Sequence, residues 1–212
     1  MSQAIETGDV RDYFDQRAAF WETERQDYYT DKVREEVVRR GVFGPDDTVL
    51  DYGCGAGYLT EALIAAGVGK IVAVDVSANM LMALGDRLGD RVEGRFADGD
   101  RIPLDVGEVD GIVANMVLHH LEQPASFFWD CMRVLRPGGR VVVTDLVSYD
   151  GEAFAREQND RWAGFERSAV MQWIEAAGFA EGAVTLVGER CCANVAATDG
   201  GTDIFLAYGR KI

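Results

Sequence analysis

Short runs of β-branched and apolar residues alternate along most of the chain with longer stretches of helical periodicity. This alternation predicts a parallel sheet with helices on both faces, a doubly wound α/β fold. We expect strands near Thr48–Tyr52, Lys70–Asp75, Val92–Ala97, Val109–Ala114 and Gly139–Asp145, and two later ones near Ala183–Val187 and Asp203–Tyr208. We expect helices near Tyr58–Ala66, Ala78–Leu88, Pro124–Leu135 and Ser168–Ala177.

A different pattern precedes the first strand. The segment Val10–Arg40 predicts two amphipathic helices rich in aromatic residues, among them Tyr13, Trp21 and Tyr28. Ligands of open α/β sheets bind at the carboxyl ends of the strands, so this segment is a candidate lid there. The alternative is that its aromatic side chains simply pack the helices onto the core. We interpret residues 1–41 as a helical lid segment and residues 42–212 as one α/β domain. The insertion Ser148–Arg167 is a second candidate lid.

The most informative stretch is Val49–Tyr58, where an apolar strand runs into three alternating glycines and then a helix. Glycine allows a sharp turn and lets a ligand approach the bare backbone. A dinucleotide fingerprint would need a third glycine at position 58, which is Tyr58. Asp51, beside the loop, would repel a pyrophosphate and attract the ammonium of a methionine moiety. The loop therefore favours a cationic ligand over a phosphate.

Two further carboxylates follow predicted strands. Asp75 ends the second strand, where an acid can accept hydrogen bonds from both hydroxyls of an adenosine ribose. The alternative role is a helix N-cap, which Ser77 fills as well. Asp98, followed by Gly99, comes after the third strand and can accept from an adenine amino group, although a loop aspartate has many structural uses.

Taken in order, these motifs resemble those of class I S-adenosylmethionine-dependent methyltransferases. The residues that carry the resemblance are Asp51-x-Gly53-x-Gly55-x-Gly57, Asp75, Asp98 and Leu135-Arg136-Pro137-Gly138-Gly139. The match covers roughly residues 47 to 146 and is to the small-molecule subgroup that includes the ubiquinone/menaquinone biosynthesis methyltransferases. It implies a Rossmann-like, seven-stranded, mostly parallel sheet with an antiparallel last strand, so that residues 42–212 form the methyltransferase domain.

The resemblance also implies a cofactor, S-adenosylmethionine, with S-adenosylhomocysteine as product. Gly53 and Gly55 would lie under the methionine part, Asp75 would hold the ribose and Met80 would cover the adenine. Asn115 would contact the methionine end through its backbone. The expected cofactor-binding residues are Asp51, Gly53, Gly55, Asp75, Val76, Met80, Asp98, Gly99 and Asn115.

Methyl transfer from a sulfonium starts from an activated leaving group, so the protein chiefly aligns the reactants and excludes water. A base is needed only where the acceptor must lose a proton. The two candidates are His119 and His120, which follow the fourth strand, because an imidazole ordinarily titrates near neutral pH, which suits a base. A structural hydrogen-bonding role is the alternative. Tyr13, Trp21 and Tyr28 are candidates for the lid and acceptor pocket.

Charge and composition limit the kinds of partner that we expect the protein to bind. The formal net charge of -15 over 212 residues argues against nucleic-acid substrates, since phosphate backbones are held mainly by Lys and Arg. The apolar runs are too short to span a bilayer, and residues 1–10 lack the features of a signal peptide, so we expect a cytoplasmic location. Without a CxxC pair we expect no metal site. We interpret Cys191 and Cys192 as buried core residues, a thiophilic site being the alternative.

The sequence thus predicts an enzyme that methylates a small molecule. The alternative is a module that binds S-adenosylmethionine without turnover, as a regulator or complex subunit, because the chemistry requires no diagnostic catalytic residue. A nicotinamide-dependent oxidoreductase is disfavoured by Tyr58 and Asp51.

Overall fold

The computed structural model describes residues 4–192 and 201–212. Seven strands form one sheet: β1 (Thr48–Tyr52), β2 (Lys70–Asp75), β3 (Glu93–Phe96), β4 (Val109–Asn115), β5 (Leu135–Leu146), β6 (Ala180–Cys191) and β7 (Thr202–Arg210). The α-helices are α1 (Val10–Arg17), α2 (Trp21–Glu24), α3 (Asp31–Gly41), α4 (Tyr58–Ala65), α5 (Ala78–Leu88), α6 (Pro124–Val134), α7 (Glu152–Glu157) and α8 (Arg167–Ala176).

The strand order is β3-β2-β1-β4-β5-β7-β6. Strands β1 to β5 pair in parallel, whereas β7 runs antiparallel to both β5 and β6. The predicted seven-stranded sheet with an antiparallel last strand is therefore confirmed. Strands β1, β2 and β4 are buried over nearly their whole length, as expected for parallel strands covered by helices on both faces.

The helices owe their positions to ordinary periodicity and capping. In α5, Met80, Leu84 and Leu88 recur every four residues and are all buried, while the Ser77 hydroxyl caps the helix by accepting from the Met80 N–H at 3.0 Å. This cap fixes the start of α5 directly after the end of β2. The end of β2 is where ligands of such folds bind.

The N-terminal segment is more divided than the two helices predicted from its sequence. It forms α1, the single-turn α2 followed by a 3₁₀ turn, and then α3, which begins where the Thr30 side chain caps it. Helix α3 packs on β5 and buries Val33 and Val37 completely, so it belongs to the core. Helix α1 buries no residue and packs on α5. The boundary at residue 41 stays a prediction, and the loosely packed part is α1.

Two other features concern the C-terminal half. Cys191 and Cys192 are both buried, at and just after the end of β6. The insertion after β5 holds α7 and joins the sheet through a single bridge from Val147 to Phe165. Among the described residues, no helix is long and apolar enough to cross a membrane.

Candidate cofactor-binding site

The carboxyl ends of β1, β2 and β4 border a cavity of about 920 Å³. Every residue predicted to bind the cofactor lines it: Asp51, Gly53, Gly55, Asp75, Val76, Met80, Asp98, Gly99 and Asn115. These residues come from four separate strand ends, and the parallel sheet brings them together because those ends lie along one edge. Their individual roles toward a cofactor stay predictions.

The glycine loop has space for backbone only. Gly53 has φ +68°, and a Cβ placed on it would lie 2.4 Å from a methyl carbon of Val117. Gly55 has φ +51°, and its Cβ would lie 3.1 Å from Nε1 of Trp21. A positive φ already disfavours any side chain, and the crowding adds to that. The loop therefore presents bare backbone to the cavity at Gly53 and Gly55.

Asp75 is buried at the end of β2 and held by two backbone donors. Its carboxylate accepts from the Gly55 N–H and from the Ser77 N–H, both at 2.8 Å. Burial raises the pKa of Asp75 to about 6, against the effect of these two bonds. An ionised carboxylate has about four acceptor positions, so about two remain for ribose hydroxyls. The loop and the carboxylate thus position each other.

Asp51 lies deeper, 1% exposed, in β1. One carboxylate oxygen accepts from the Thr60 hydroxyl at 2.5 Å. The pKa of Asp51 is raised to about 7, mainly by burial; the Thr60 bond opposes the rise and the nearby Asp75 carboxylate adds to it. A cation bound at this end of the cavity would favour the ionised carboxylate. The site therefore fits a ligand that carries a sulfonium and an ammonium.

The end of β4 carries backbone strain beside the cavity. Met116, which lines the cavity, has φ +56° although it is not glycine. Its N–H donates to the Thr144 carbonyl at 2.9 Å, and the Thr144 hydroxyl donates to Asn115 Oδ1 at 2.8 Å. Such strain persists where the surroundings over-determine it, and it is frequent at ligand sites.

The N-terminal helices cover the cavity through polar contacts that the sequence pattern does not predict. Arg11 of α1 pairs with Asp98 at 2.8 Å. The Asp15 carboxylate accepts from the Ser77 hydroxyl at 2.5 Å and from the Asn79 N–H at 3.2 Å. Helix α1 is thus fastened to the loops that follow β2 and β3. No periodicity or motif relates Arg11 or Asp15 to those loops.

The three aromatic residues predicted for the lid have different positions. Trp21 lines the cavity and touches the glycine loop. Tyr13 and Tyr28 are not among the lining residues: Tyr13 packs edge-on against Phe14, with ring centres 5.1 Å apart, and the Tyr28 carbonyl accepts from the Cys192 N–H. Phe14, which was not among the predicted site residues, lines the cavity instead.

The two histidines are separated by the fold. His119 does not line the cavity, and its Nδ1 lies 2.7 Å from Asp145 Oδ1. Burial alone would lower the pKa of His119, but the carboxylates of Asp145 and Asp160 outweigh it and raise the pKa to about 9. His120 lines the cavity, and burial together with His119 holds its pKa well below the ordinary value. Of the two, only His120 can face an acceptor in this cavity as a neutral imidazole.

Residues 50–143 match the sequence family described as a methyltransferase domain. Within these residues the chain carries a methyltransferase domain, similar to those of class I. Enzymes of this class use S-adenosylmethionine, and the glycine loop, Asp75 and Asp51 fit that cofactor in position and charge. Sequence and structure therefore agree on the fold and on the class of domain.

The relatives act on different kinds of acceptor. The chain is 28% identical over 162 residues to the demethylmenaquinone methyltransferase of Clavibacter sepedonicus. The aligned region covers 63% of this chain and 66% of that protein. It is 30% identical over 157 residues to the malonyl-[acyl-carrier protein] O-methyltransferase of Hahella chejuensis, covering 73% and 55%. It is 34% identical to the ribosomal protein L11 methyltransferase of Methylococcus capsulatus, over 68% of this chain and 45% of that protein. The chain spans less than two thirds of each of these relatives.

Solved structures share the fold over nearly the whole chain. A chain from the complex of the Haloferax volcanii Trm112 methyltransferase activator with a methyltransferase has a TM-score of 0.77 at 20% identity, covering 95% of this chain and 99% of that one. The phosphoethanolamine N-methyltransferase 2 of Haemonchus contortus, solved with S-adenosylhomocysteine, has a TM-score of 0.76 at 16% identity, covering 97% and 60%. At these identities the likeness establishes the fold.

Proposed function

We propose that the protein transfers a methyl group from S-adenosylmethionine to a small-molecule acceptor bound in the same cavity. One observation carries the proposal: a single cavity is bordered by the glycine loop and Asp75 on one side and by the N-terminal helices on the other. Its volume of about 920 Å³ is near the upper end of the roughly 300–1,000 Å³ of small-molecule sites. A cofactor bound along the strand ends leaves room for a second small ligand.

The cover over the cavity supports a small acceptor. Trp21 lies against the glycine loop, Arg11 pairs with Asp98, and Asp15 bonds to the start of α5. A loop of a folded protein would have to displace these contacts before it reached the cofactor. A small molecule needs the contacts of α1 broken only while it enters and leaves, whereas a protein loop would keep them broken throughout the reaction.

When bound, S-adenosylmethionine supplies an activated methyl: the acceptor lone pair forms the new bond to the methyl carbon, the carbon–sulfur bond breaks with its electrons passing to sulfur, and S-adenosylhomocysteine and an acceptor proton are released. The residues of this chain hold and shield the reactants. Asp75 and the backbone of Gly53 and Gly55 would hold the donor, and Phe14 and Trp21, which also line the cavity, would exclude water. His120 is the candidate for receiving the proton, and its lowered pKa makes it a weak base.

Two measurements on the purified protein test the proposal. Calorimetry should show binding of S-adenosylhomocysteine and none of NAD under the same conditions. Protein incubated with methyl-labelled S-adenosylmethionine and a cell extract should then place label in the small-molecule fraction, with Asp75→Ala as the blank.

Label found only in protein or in nucleic acid would contradict a small acceptor. Cofactor binding without label in any fraction would favour the regulatory or complex subunit. Binding of NAD but not of S-adenosylhomocysteine would refute the cofactor assignment. The cytoplasmic location and the exclusion of nucleic-acid partners stay predictions from the sequence.

A further inference from the structure

Two histidines and a carboxylate meet beside the cavity, outside the cofactor site. His119 Nε2 lies 3.5 Å from Asp160 Oδ1, and His120 Nδ1 lies 3.9 Å from the same oxygen. Each of the three residues offers one ligand atom, and those atoms all lie within 4.8 Å of one another. His119 and Asp160 are buried, and His120 borders the cavity.

The spacing is close to that of a metal centre. Zinc bonds to imidazole nitrogen and carboxylate oxygen are roughly 2.0–2.2 Å long, so neighbouring ligand atoms of a tetrahedral site lie roughly 3.3–3.6 Å apart. The separation of 3.5 Å between His119 and Asp160 already falls in this range. The separation of 3.9 Å to His120 Nδ1 must shrink by a few tenths of an ångström. That nitrogen must also give up its proton and its 3.2 Å bond to the Asn159 carbonyl oxygen, which can only accept.

Asp145 orients the first histidine. Its Oδ1 accepts from the Leu146 N–H at 2.7 Å and lies 2.7 Å from His119 Nδ1. Metal-bound histidines ordinarily donate their other ring N–H to such a carboxylate. When the His119 Nδ1–H donates to Asp145, the Nε2 lone pair faces Asp160, as metal binding requires.

The charges of the cluster call for a cation. Asp145 and Asp160 are both buried, and Asp145 Oδ2 has no hydrogen-bond partner in the described part of the chain. The Tyr149 hydroxyl donates to Asp160 Oδ2 at a long 3.4 Å, and Arg161 lines the cavity. Both carboxylates face His119, whose single positive charge when protonated balances one of them. A divalent cation that takes the place of the Nε2 proton would balance both, and buried carboxylates are costly unless they are paired.

The two loops that carry the ligands are tied together. The N–H groups of Arg161 and Trp162 both donate to the His119 carbonyl, at 2.9 and 3.1 Å. Asn159, with φ +59°, makes the sharp turn that brings Asp160 back toward the histidines. The backbones of the two loops are therefore fixed relative to each other before any ion arrives.

We propose that His119, His120 and Asp160 bind one divalent transition-metal ion, with Asp145 positioning His119. Two imidazoles and one carboxylate suit Zn²⁺ and its neighbours rather than Mg²⁺ or Ca²⁺, which prefer oxygen ligands. Three protein ligands leave a coordination position open. The ion fastens the loop after β4 to the segment after α7, and in the metal-bound protein His120 is a ligand instead of the candidate base for methyl transfer. The test of this site does not depend on methyl transfer, because binding is measured without turnover.

Titration of chelator-treated protein with Zn²⁺ by calorimetry, and with Co²⁺ by visible absorption, tests the proposal. We expect one equivalent of either ion, and no comparable binding of Mg²⁺. Asp160→Asn, which keeps the size of the side chain, should lower the affinity about tenfold or more, as should Asp145→Asn. Asp150→Asn changes an exposed acid nearby and should leave the affinity unchanged.

Two further measurements distinguish this site from binding by the cysteine thiols and from misfolding of a variant. The double variant Cys191→Ser/Cys192→Ser should still bind Zn²⁺; if it does not, and Asp160→Asn does, the thiols hold the ion and the proposal is wrong. If Asp160→Asn fails to fold, the melting temperature of the unmodified protein decides, because an ion that binds the folded state must raise it. A melting temperature that Zn²⁺ leaves unchanged would overturn the proposal.

Discussion

Replacing Asp51 by asparagine should change the stability of the protein and its affinity for the cationic cofactor in opposite directions. The side chain is 1% exposed, and its carboxylate accepts from the Thr60 hydroxyl, a bond that an amide oxygen can equally accept. The substitution therefore removes the ionisable group while it preserves volume and hydrogen bonding. We expect Asp51→Asn to stabilise the protein at neutral pH and to weaken cofactor binding.

The magnitude follows from the shifted pKa. The pKa of Asp51 is about 7 in the folded protein against 3.8 ordinarily, which corresponds to a penalty of at most about 4 kcal/mol. Below pH 3.8 the carboxyl is protonated in both states and the penalty is absent. Between 3.8 and about 7 the unfolded chain releases the proton and the folded one keeps it, so stability falls as pH rises. Above about pH 7 the carboxyl is ionised in both states, and the penalty stays constant. Asparagine should therefore gain up to about 4 kcal/mol at about pH 8 and about 2 kcal/mol at about pH 5.5.

Urea unfolding at about pH 5.5 and about pH 8 measures the gain, and calorimetry with S-adenosylmethionine measures the loss of affinity. The exposed Asp46 provides a matched control, since Asp46→Asn removes the same charge from the surface and should change neither quantity. A stability gain that is absent, or equal at the two pH values, would refute the buried-charge argument. A gain in stability without any loss of affinity for S-adenosylmethionine would show that Asp51 does not act on the bound cofactor.

Three further predictions concern the same cavity. Asp75→Ala should weaken S-adenosylhomocysteine binding by roughly 1.5–3 kcal/mol in calorimetry, the scale of hydrogen bonds to a charged group; unchanged affinity in a folded variant would exclude the ribose role. Hydrogen exchange in residues 10–29 should slow when S-adenosylhomocysteine is added, and equal protection with and without ligand would contradict the lid. Gly53→Ala should cost roughly 1–3 kcal/mol more in urea unfolding than Gly67→Ala, because both have positive φ but only Gly53 faces Val117; equal losses would refute the crowding.

The sheet and the cofactor loops could be predicted because their signals are local. A strand, a glycine turn and a helix follow one another within Val49–Tyr58, and Asp75 closes the next strand directly. The sequence signals for the ends of strands are less local. The run Leu135-Arg136-Pro137-Gly138-Gly139 suggests a turn, yet it lies inside β5, where the pairing with β4 shifts register between Val109 and Gly111. Proline and glycine there mark an irregularity within the strand rather than its beginning.

The contacts that complete the site could not be predicted, because they join distant segments through side chains without periodic spacing. Arg11 reaches Asp98 across 87 positions, and Asp15 reaches Ser77 across 62. The approach of Asp160 to His119 depends on a left-handed turn at Asn159. Such contacts depend on how α1 and the segment after β5 pack, which the hydrophobic pattern leaves open.

The place of β7 in the sheet has a consequence for biosynthesis. β7 inserts between β5 and β6, and β6 lies at the sheet edge with β7 as its neighbour. On the ribosome β6 emerges first, so it must wait beside the nascent sheet with its backbone groups unpaired until β7 follows. Synthesis adds about 5–20 residues per second, and pairing cannot begin before those residues have cleared the exit tunnel. An edge exposed in that interval invites pairing with another chain. A nascent chain is therefore most prone to pair with another copy in the interval between the emergence of β6 and that of β7.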